Sequence, residues 1–141
     1  ANAEDAKLQD VLKIKKAMFD IDFGAQGATT DTTVSFPADS IVLTFNCNVT
    51  EAATSSGGMN VTFGFTGTTM ISDVLAKASI TLASDIGPAC NGTEYYAPIY
   101  LTAADTFDIT ASATATAGKV NVVVWYIESP AFVSDESFIT V

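Results

Sequence analysis

Residues 119–127, with the sequence KVNVVVWYI, carry a pattern typical of a β-strand. Valine and aromatic residues favour extended backbone, and successive side chains of a strand point to opposite faces. One face of this strand carries Val120, Val122, Val124 and Tyr126, and the other carries Val123, Trp125 and Ile127. Because both faces are apolar, the pattern predicts a strand that is central in its sheet or lies against a neighbour.

Other segments alternate in the same way. A half-buried strand is predicted from Ile41, Leu43, Phe45, Cys47 and Val49, and a second from Met59, Val61, Phe63 and Phe65. The turn at residues 54–58 predicts a hairpin between these two. Residues 95–101 and 107–113 predict two further strands, and residues 71–78 predict one or two helical turns. Short strands separated by turns, without long helices between them, predict an antiparallel, all-β sandwich of jelly-roll-like type.

The first 22 residues have a different pattern. Apolar residues recur there near helical spacing, with charged residues between them. The pattern predicts a short amphipathic helical arm, which either packs on its own domain or anchors the chain to a partner. The candidate partner-binding residues of this arm are Leu8, Val11, Leu12, Met18 and Phe19.

These patterns divide the chain into three parts. Residues 1–24 are the predicted N-terminal helical arm, residues 25–128 the β-sandwich domain, and residues 129–141 a C-terminal tail. Pro130 ends the last predicted strand, and the tail holds Phe132, Phe138 and Ile139. A chain of 141 residues suits one domain, and it buries enough surface to fold without a metal or a disulfide framework.

Charge is the most unusual property of the sequence. It has 16 acidic residues against six lysines, with no arginine and no histidine, and four of the lysines lie within the first 16 residues. Proteins hold nucleic-acid phosphates through lysine and arginine, so the acidic body is not expected to bind nucleic acid. The longest apolar stretches fall well short of the roughly 20 residues that span a membrane, so no membrane attachment is expected. Residues 1–5 lack the features of a signal peptide.

Most catalytic and metal-binding chemistry lacks its usual residues here. Without histidine there is no Ser-His-Asp or Cys-His nucleophile system and no histidine metal site. Two carboxylates alone are able to hydrolyse a glycoside, but no pair is distinguished among the 16 acids. Loop acids such as Asp85 and Glu94 show no spaced calcium motif. We therefore predict that the chain is not an enzyme and binds no cofactor or metal.

Cys47 and Cys90 are predicted to be reduced thiols, with Cys47 buried as a small apolar residue. The alternative is a disulfide between them, which would contribute about 3–4 kcal/mol by closing a long loop. Three Asn-x-Thr triplets occur at Asn48, Asn60 and Asn91. In a secreted protein they would be glycosylation sites, but a chain rich in these residues also produces them by chance, which is the favoured interpretation.

Aromatic residues are concentrated in two of the predicted strands. Tyr95, Tyr96 and Tyr100 would lie near Trp125 and Tyr126 if their strands were neighbours. Such a group forms either a platform on which a sugar stacks or, more commonly, part of a core or a subunit interface.

Three stretches resemble a known family. They are Pro37-Ala38 followed by IVLTF at residues 41–45, GMNVTFGFTG at residues 58–67, and TAGKVNVVVWYI at residues 116–127. Residues 33–127 as a whole resemble the small decoration and head-fibre proteins that tailed phages encode beside their major capsid protein. The resemblance implies a compact β-sandwich that often assembles as a trimer on the capsid lattice. It transfers no individual functional residue.

We therefore expect a non-enzymatic virion structural protein that decorates the outer surface of a phage head after assembly in the host cytoplasm. Its expected partners are the major capsid protein and further copies of itself, with a homotrimer favoured. The alternative is a receptor- or carbohydrate-binding β-sandwich module of a virion or cell surface. A third hypothesis is a secreted, glycosylated domain.

Overall fold

A computed structural model describes residues 14–24, 29–65, 70–89 and 98–128 of the chain. Within these ranges the chain forms nine strands and one short 3-10 helix. The strands are β1 (Lys15–Asp22), β2 (Thr29–Phe36), β3 (Ile41–Thr54), β4 (Asn60–Gly64), β5 (Leu75–Ala76), β6 (Asp85–Ile86), β7 (Ile99–Tyr100), β8 (Asp105–Ala111) and β9 (Ala117–Ile127). The 3-10 helix η1 covers Lys77–Ser79, directly after β5.

The strands form two antiparallel sheets. The first sheet has the order β1-β9-β3-β6, and β7 also pairs with β3. The second sheet has the order β2-β8-β4-β5. This arrangement confirms the predicted β-sandwich. It also confirms the interpretation of β9, which is central because it pairs with β1 on one side and β3 on the other.

The core lies between the sheets and is built largely from alternate residues of the long strands. Val120, Val122 and Val124 of β9 are almost fully buried, and so are Met59, Val61, Phe63 and Phe65 in and beside β4. Phe107 of β8 is central to a group of rings from both sheets. Its ring lies edge-on to those of Phe19, Phe45 and Phe65, with centroid distances of 6.0, 5.0 and 5.7 Å. Such edge-to-face pairs add to the stabilisation from burial.

The helical prediction for the end of the N-terminal segment is wrong, because residues 15–22 form strand β1. The apolar residues there fit a period of two as well as a helical period, since Phe19 and Ile21 alternate with Met18 and Asp20. Pairing with β9 provides hydrogen-bond partners for the backbone of β1. The Ile21 side chain lies in the core and is 6% exposed. Residues 1–13 lie outside the described part, so the arm remains a prediction there.

The predicted hairpin between β3 and β4 is also wrong. β3 belongs to the first sheet and β4 to the second, so residues 55–59 cross between sheets instead of joining paired strands. Lys77 supports this crossing, because its Nζ donates to the carbonyl oxygens of Ser55 and Gly57 at 3.1 and 2.5 Å. Of the helical turns predicted at residues 71–78, the structure has only the 3-10 helix η1, which overlaps the last two residues of that segment.

A register shift in β3 changes which of its side chains point inward. Between Val42 and Thr44 the pairing with β9 shifts by one residue, which leaves Leu43 as an extra residue. Val42 is therefore fully buried, together with Phe45, Cys47 and Val49 further along the strand. The alternation in the sequence had placed Ile41 and Leu43 inward instead. Both are only half-buried.

Candidate interaction surface

The outer face of the first sheet carries an apolar cluster at one end. Val42 of β3 and Tyr126 of β9 are paired and both face the core. The Tyr126 ring packs edge-on against the ring of Phe36, with 5.2 Å between the ring centroids. The next row, with Ile41 paired to Tyr100 on one side and to Ile127 on the other, therefore faces outward. Trp125 and Val123 of β9 follow on the same outer face. We name Ile41, Tyr100, Val123, Trp125 and Ile127 the outer patch.

Two further apolar residues flank the outer patch on β1 and just before it. Met18 is paired with Val123 and is 68% exposed, and Ile14 is 58% exposed. Tyr100, at the opposite side of the patch, is 54% exposed. Single exposed apolar residues are ordinary, but a contiguous group marks a contact surface in many proteins. The outer patch and its two flanking residues are therefore the candidate interaction surface of the described chain.

The opposite end of the same outer face is polar. Asp20 is paired with Asn121, which in turn is paired with Asn48 of β3. Beyond that row, Lys119 forms a salt bridge of 3.1 Å with Glu51 and is paired with Asp22. The hydrogen bond to Glu51 raises the pKa of Lys119. The outer face is thus divided along its strands into an acidic, polar end and an apolar end.

The predicted partner-binding residues are separated by the structure. Leu8, Val11 and Leu12 lie outside the described residues. Met18 points outward beside the outer patch, whereas Phe19 points inward and packs against Phe107. Met18 and Phe19 therefore do not share one face, because neighbouring residues of a strand point to opposite sides. The sequence indicated part of the outer patch, through the apolar face of Val123, Trp125 and Ile127, but it did not indicate that Ile41 joins them.

The aromatic residues predicted to lie together are only partly brought together. Tyr100 and Trp125 share the outer face, while Tyr126 belongs to the core side of β9. Tyr95 and Tyr96 lie outside the described residues. The hydroxyl of Tyr100 donates to Asp39, and this hydrogen bond raises the pKa of Tyr100. The bond holds the exposed ring at the edge of the outer patch.

The described residues offer little for catalysis or metal binding. No group of three or more histidine, cysteine, aspartate or glutamate side chains there is arranged to hold a metal ion. Asp108 is 5% exposed and accepts a hydrogen bond from the Thr106 hydroxyl at 2.8 Å, in a structural role within β8. None of the helices in the same ranges is long and apolar enough to cross a membrane.

Cys47 is a free, fully buried cysteine in β3. Burial raises the pKa of its thiol far above the ordinary value, which keeps the sulfur protonated and unreactive. This agrees with the prediction of a small apolar core residue. The Cys47 sulfur is unbonded in the structure, and Cys90 lies outside the described part of the chain.

Two of the three Asn-x-Thr triplets lie in strands. Asn48 of β3 donates from its side-chain amide to Asp85 at 3.0 Å, which links β3 to β6. Asn60 begins β4 and is exposed. Asn91 lies outside the described residues. The Asn48 amide thus has a structural partner, which fits the interpretation of the triplets as chance combinations.

Comparison with known proteins gives a likeness of fold. No protein-family model matches the chain, and no curated protein matches it significantly. Among solved structures, a chain of the cyanophage Pam1 capsid asymmetric unit is 19% identical, with a TM-score of 0.54 over 80% of this chain and 83% of that one. A chain of the capsid of Ralstonia phage GP4 is 11% identical, with a TM-score of 0.51 over 84% and 86%. A chain of the acid-stable capsid of Helicobacter pylori bacteriophage KHP30 is 15% identical, with a TM-score of 0.49 over 81% and 92%. The two-sheet sandwich described above is therefore the fold of chains found in the Pam1 and GP4 capsid structures.

Proposed function

We propose that the protein is a non-enzymatic capsid decoration protein on the outer surface of a phage head. The observation that carries the proposal is the shared fold, because chains of the same two-sheet architecture are present in two phage capsid structures over most of their length. The resemblance of residues 33–127 to phage decoration proteins points the same way. Its partners are then the major capsid protein and further copies of itself, added after assembly of the shell in the host cytoplasm.

The surface chemistry supports an exposed position on a particle. The chain has a net charge of −10, which favours solubility and discourages contact with polyanions. A protein on the outside of a shell needs such a surface toward solvent, with apolar contacts limited to its attachment and subunit borders. The division of the outer face into an acidic end and an apolar end meets this requirement.

We place the shell attachment at the N-terminal segment, through Leu8, Val11 and Leu12 together with Met18. Residues 1–13 lead directly into β1, so this segment ends next to Ile14, just before the strand that carries Met18. Burying four such side chains would contribute about 1.5–3 kcal/mol each before ordering costs. Repetition around an oligomer multiplies the effect. Phe19, the fifth predicted residue, is assigned to the core of its own sandwich.

Rebinding to stripped particles tests this attachment. The full chain with Leu8, Val11 and Leu12 all changed to Ser is compared with a control in which Asn2 and Gln9 are changed to Ser. The first variant should stay folded by circular dichroism and lose most of its binding to particles, whereas the control should bind like the native chain. Equal binding of both variants would show that the N-terminal segment does not attach the chain to the particle.

Oligomerisation is tested separately by sedimentation. We expect a closed homotrimer, because cyclic assemblies cover self-complementary surfaces without further growth. A monomer at the highest accessible concentration would contradict the trimer and leave the shell as the partner.

Carbohydrate binding is the second candidate, and the outer patch favours it through one observation. Trp125 and Tyr100 lie on the same face, and aromatic rings of this kind serve as stacking surfaces for sugars. Specific binding of the protein to members of a glycan array, abolished by Trp125→Ala, would favour this function. Absence of binding across the array would count against it.

A further inference from the structure

The chain leaves the first sheet at the apolar end of its outer face. β9 ends at Ile127, which is itself part of the outer patch, and Glu128 follows with a salt bridge to Lys15 of β1. This salt bridge ties the end of β9 to the beginning of β1. The segment that continues from Glu128, residues 129–141, therefore starts at the apolar end of the outer face and not at its acidic end.

The composition of residues 129–141 suits that surface. The segment reads SPAFVSDESFITV, and Phe132, Val133, Phe138, Ile139 and Val141 make it rich in large apolar side chains. Most inward residues of β3, β8 and β9 are almost fully buried between the sheets. The apolar surface adjoining Glu128 is the outer patch, because Ile127 belongs to it.

The length and the charge of residues 129–141 also suit the outer patch. Thirteen residues reach up to about 40 Å when extended, whereas the outer patch runs back along β9 from Ile127 to Val123, roughly 13 Å. Pro130 cannot donate a backbone hydrogen bond, so it favours a change of direction directly after the strand. The segment carries the acidic residues Asp135 and Glu136. The exposed Lys16 of β1, which is paired with Trp125, offers them a positive charge beside the outer patch. The other end of the face would repel them through Asp20, Asp22 and Glu51.

We propose that residues 129–141 fold back over the outer patch of their own chain, with Phe132 and Phe138 as the main contacts. A second copy of the chain and the N-terminal segment are the competing occupants. The C-terminal segment is favoured because it is joined to the patch through Glu128, and a short linker gives an effective concentration in the millimolar range. Met18 and Ile14, on the β1 side, are left beside residues 1–13. The proposal is independent of the role in a capsid.

Trp125 makes the proposal measurable, because it is the single tryptophan of the chain and lies in the outer patch. In the full-length protein, Phe132→Ser combined with Phe138→Ser should shift its emission to the red and increase its quenching by acrylamide. The matched control, Ser129→Ala combined with Ser137→Ala, should leave both unchanged. Circular dichroism verifies that the sandwich is intact in each protein. Unchanged emission and quenching in the phenylalanine variant would overturn the proposal.

Two further outcomes identify a different occupant. If dilution of the native protein exposes Trp125 to acrylamide, the cover is supplied by a second chain, and the proposal fails. A photo-crosslinking residue at position 132, in a mixture of isotope-labelled and unlabelled chains, gives a measurement that needs no destabilising change. Crosslinks to β3, β7 or β9 within one chain are expected. Crosslinks only between labelled and unlabelled chains, or none to these strands, would contradict the inference.

Discussion

Gly118 of β9 packs directly against Phe23, the residue that follows the neighbouring strand β1. It has a φ of +153°, and a Cβ added there would lie 2.4 Å from ring atoms of Phe23. Phe23 is 2% exposed, and its backbone N–H donates to the Gly118 carbonyl at 3.0 Å. The Phe23 ring therefore occupies the space that a side chain at position 118 would need.

Gly118→Ala should lower the free energy of unfolding by about 2–4 kcal/mol, because it combines backbone strain with overpacking against Phe23. Gly57→Ala is the control, since a Cβ there meets nothing within 4 Å. Chemical denaturation of both variants measures the difference. Equal stability of the two variants would show that Phe23 moves aside without loss.

Asp105 gives a prediction about pH. Burial raises the pKa of its carboxyl above the usual 3.8, and the nearby charge of Asp108 adds to the effect, against a hydrogen bond from the Thr106 N–H. The folded chain then holds a proton that the unfolded chain releases, so this group's contribution to stability falls as pH rises from about 4 through the raised pKa.

Asp105→Asn should therefore stabilise the protein at neutral pH relative to the native chain, and the gain should shrink as the solution is acidified below the raised pKa. The same exchange at the exposed Asp73 serves as control. Denaturation curves recorded between pH 3 and pH 8 measure the difference. A variant that is less stable than the native protein by the same amount at every pH would contradict the assignment.

At the scale of elements, β1 decides whether the N-terminal segment belongs to the sandwich. Ile21 is buried in the core and Met18 on the same strand is 68% exposed. Ile21→Ala should cost about 2–5 kcal/mol, as large-to-small changes in a core do, whereas Met18→Ala should stay within about 0.5 kcal/mol. Denaturant titration of the two variants tests this. Similar losses from both would be at odds with the alternation of a paired strand.

The same strand explains a limit on truncation. Removing residues 1–13 leaves β1 in place, so the sandwich should keep its cooperative unfolding. Removing residues 1–22 takes away β1 and its pairing with β9, together with Ile21 and Phe19. That shorter chain should be much less stable, and a comparison of thermal unfolding distinguishes the two. Identical melting of both truncated chains would mean that β1 adds nothing to the fold.

The elements also show what sequence patterns are able to predict. The apolar pattern of β9 correctly predicted a central strand, which is paired on both sides; its inward apolar face lies in the core and its outward apolar face forms part of the outer patch. The turn at residues 54–58 did not indicate that β3 and β4 belong to different sheets, since a turn signal is the same for a hairpin and for a crossing. The extra residue at Leu43 was invisible because a bulge depends on the partner strand.

The candidate surface was predictable only in part, for a related reason. A helical period placed Met18 and Phe19 in one stripe, but a strand places them on opposite faces. The outer patch joins residues of β3, β7 and β9 that are far apart in the sequence, so it became identifiable only with the pairing of those strands. Its members on β9 were nevertheless recognisable as a second apolar face.

Across the molecule, the outer face of the first sheet has an acidic, polar end and an apolar end. The separation follows from the register of the first sheet, which collects Asp20, Asp22 and Glu51 at one end of the outer face and the outer patch at the other. The acidic end is suited to face solvent, while the exposed Ile14 and Met18 lie on the side of the N-terminal segment that we propose as the attachment. It supports the proposed role on a phage head, which rests on the shared fold.

The most direct test of that role is to locate the chain on particles from its native source. Purified particles labelled with an antibody against the protein, and imaged by negative-stain electron microscopy, should carry label spread over the outer surface of the head. Particles from which the protein has been stripped serve as the control and should bind no antibody. Label confined to the tail tip, or intact particles without any label, would contradict the account.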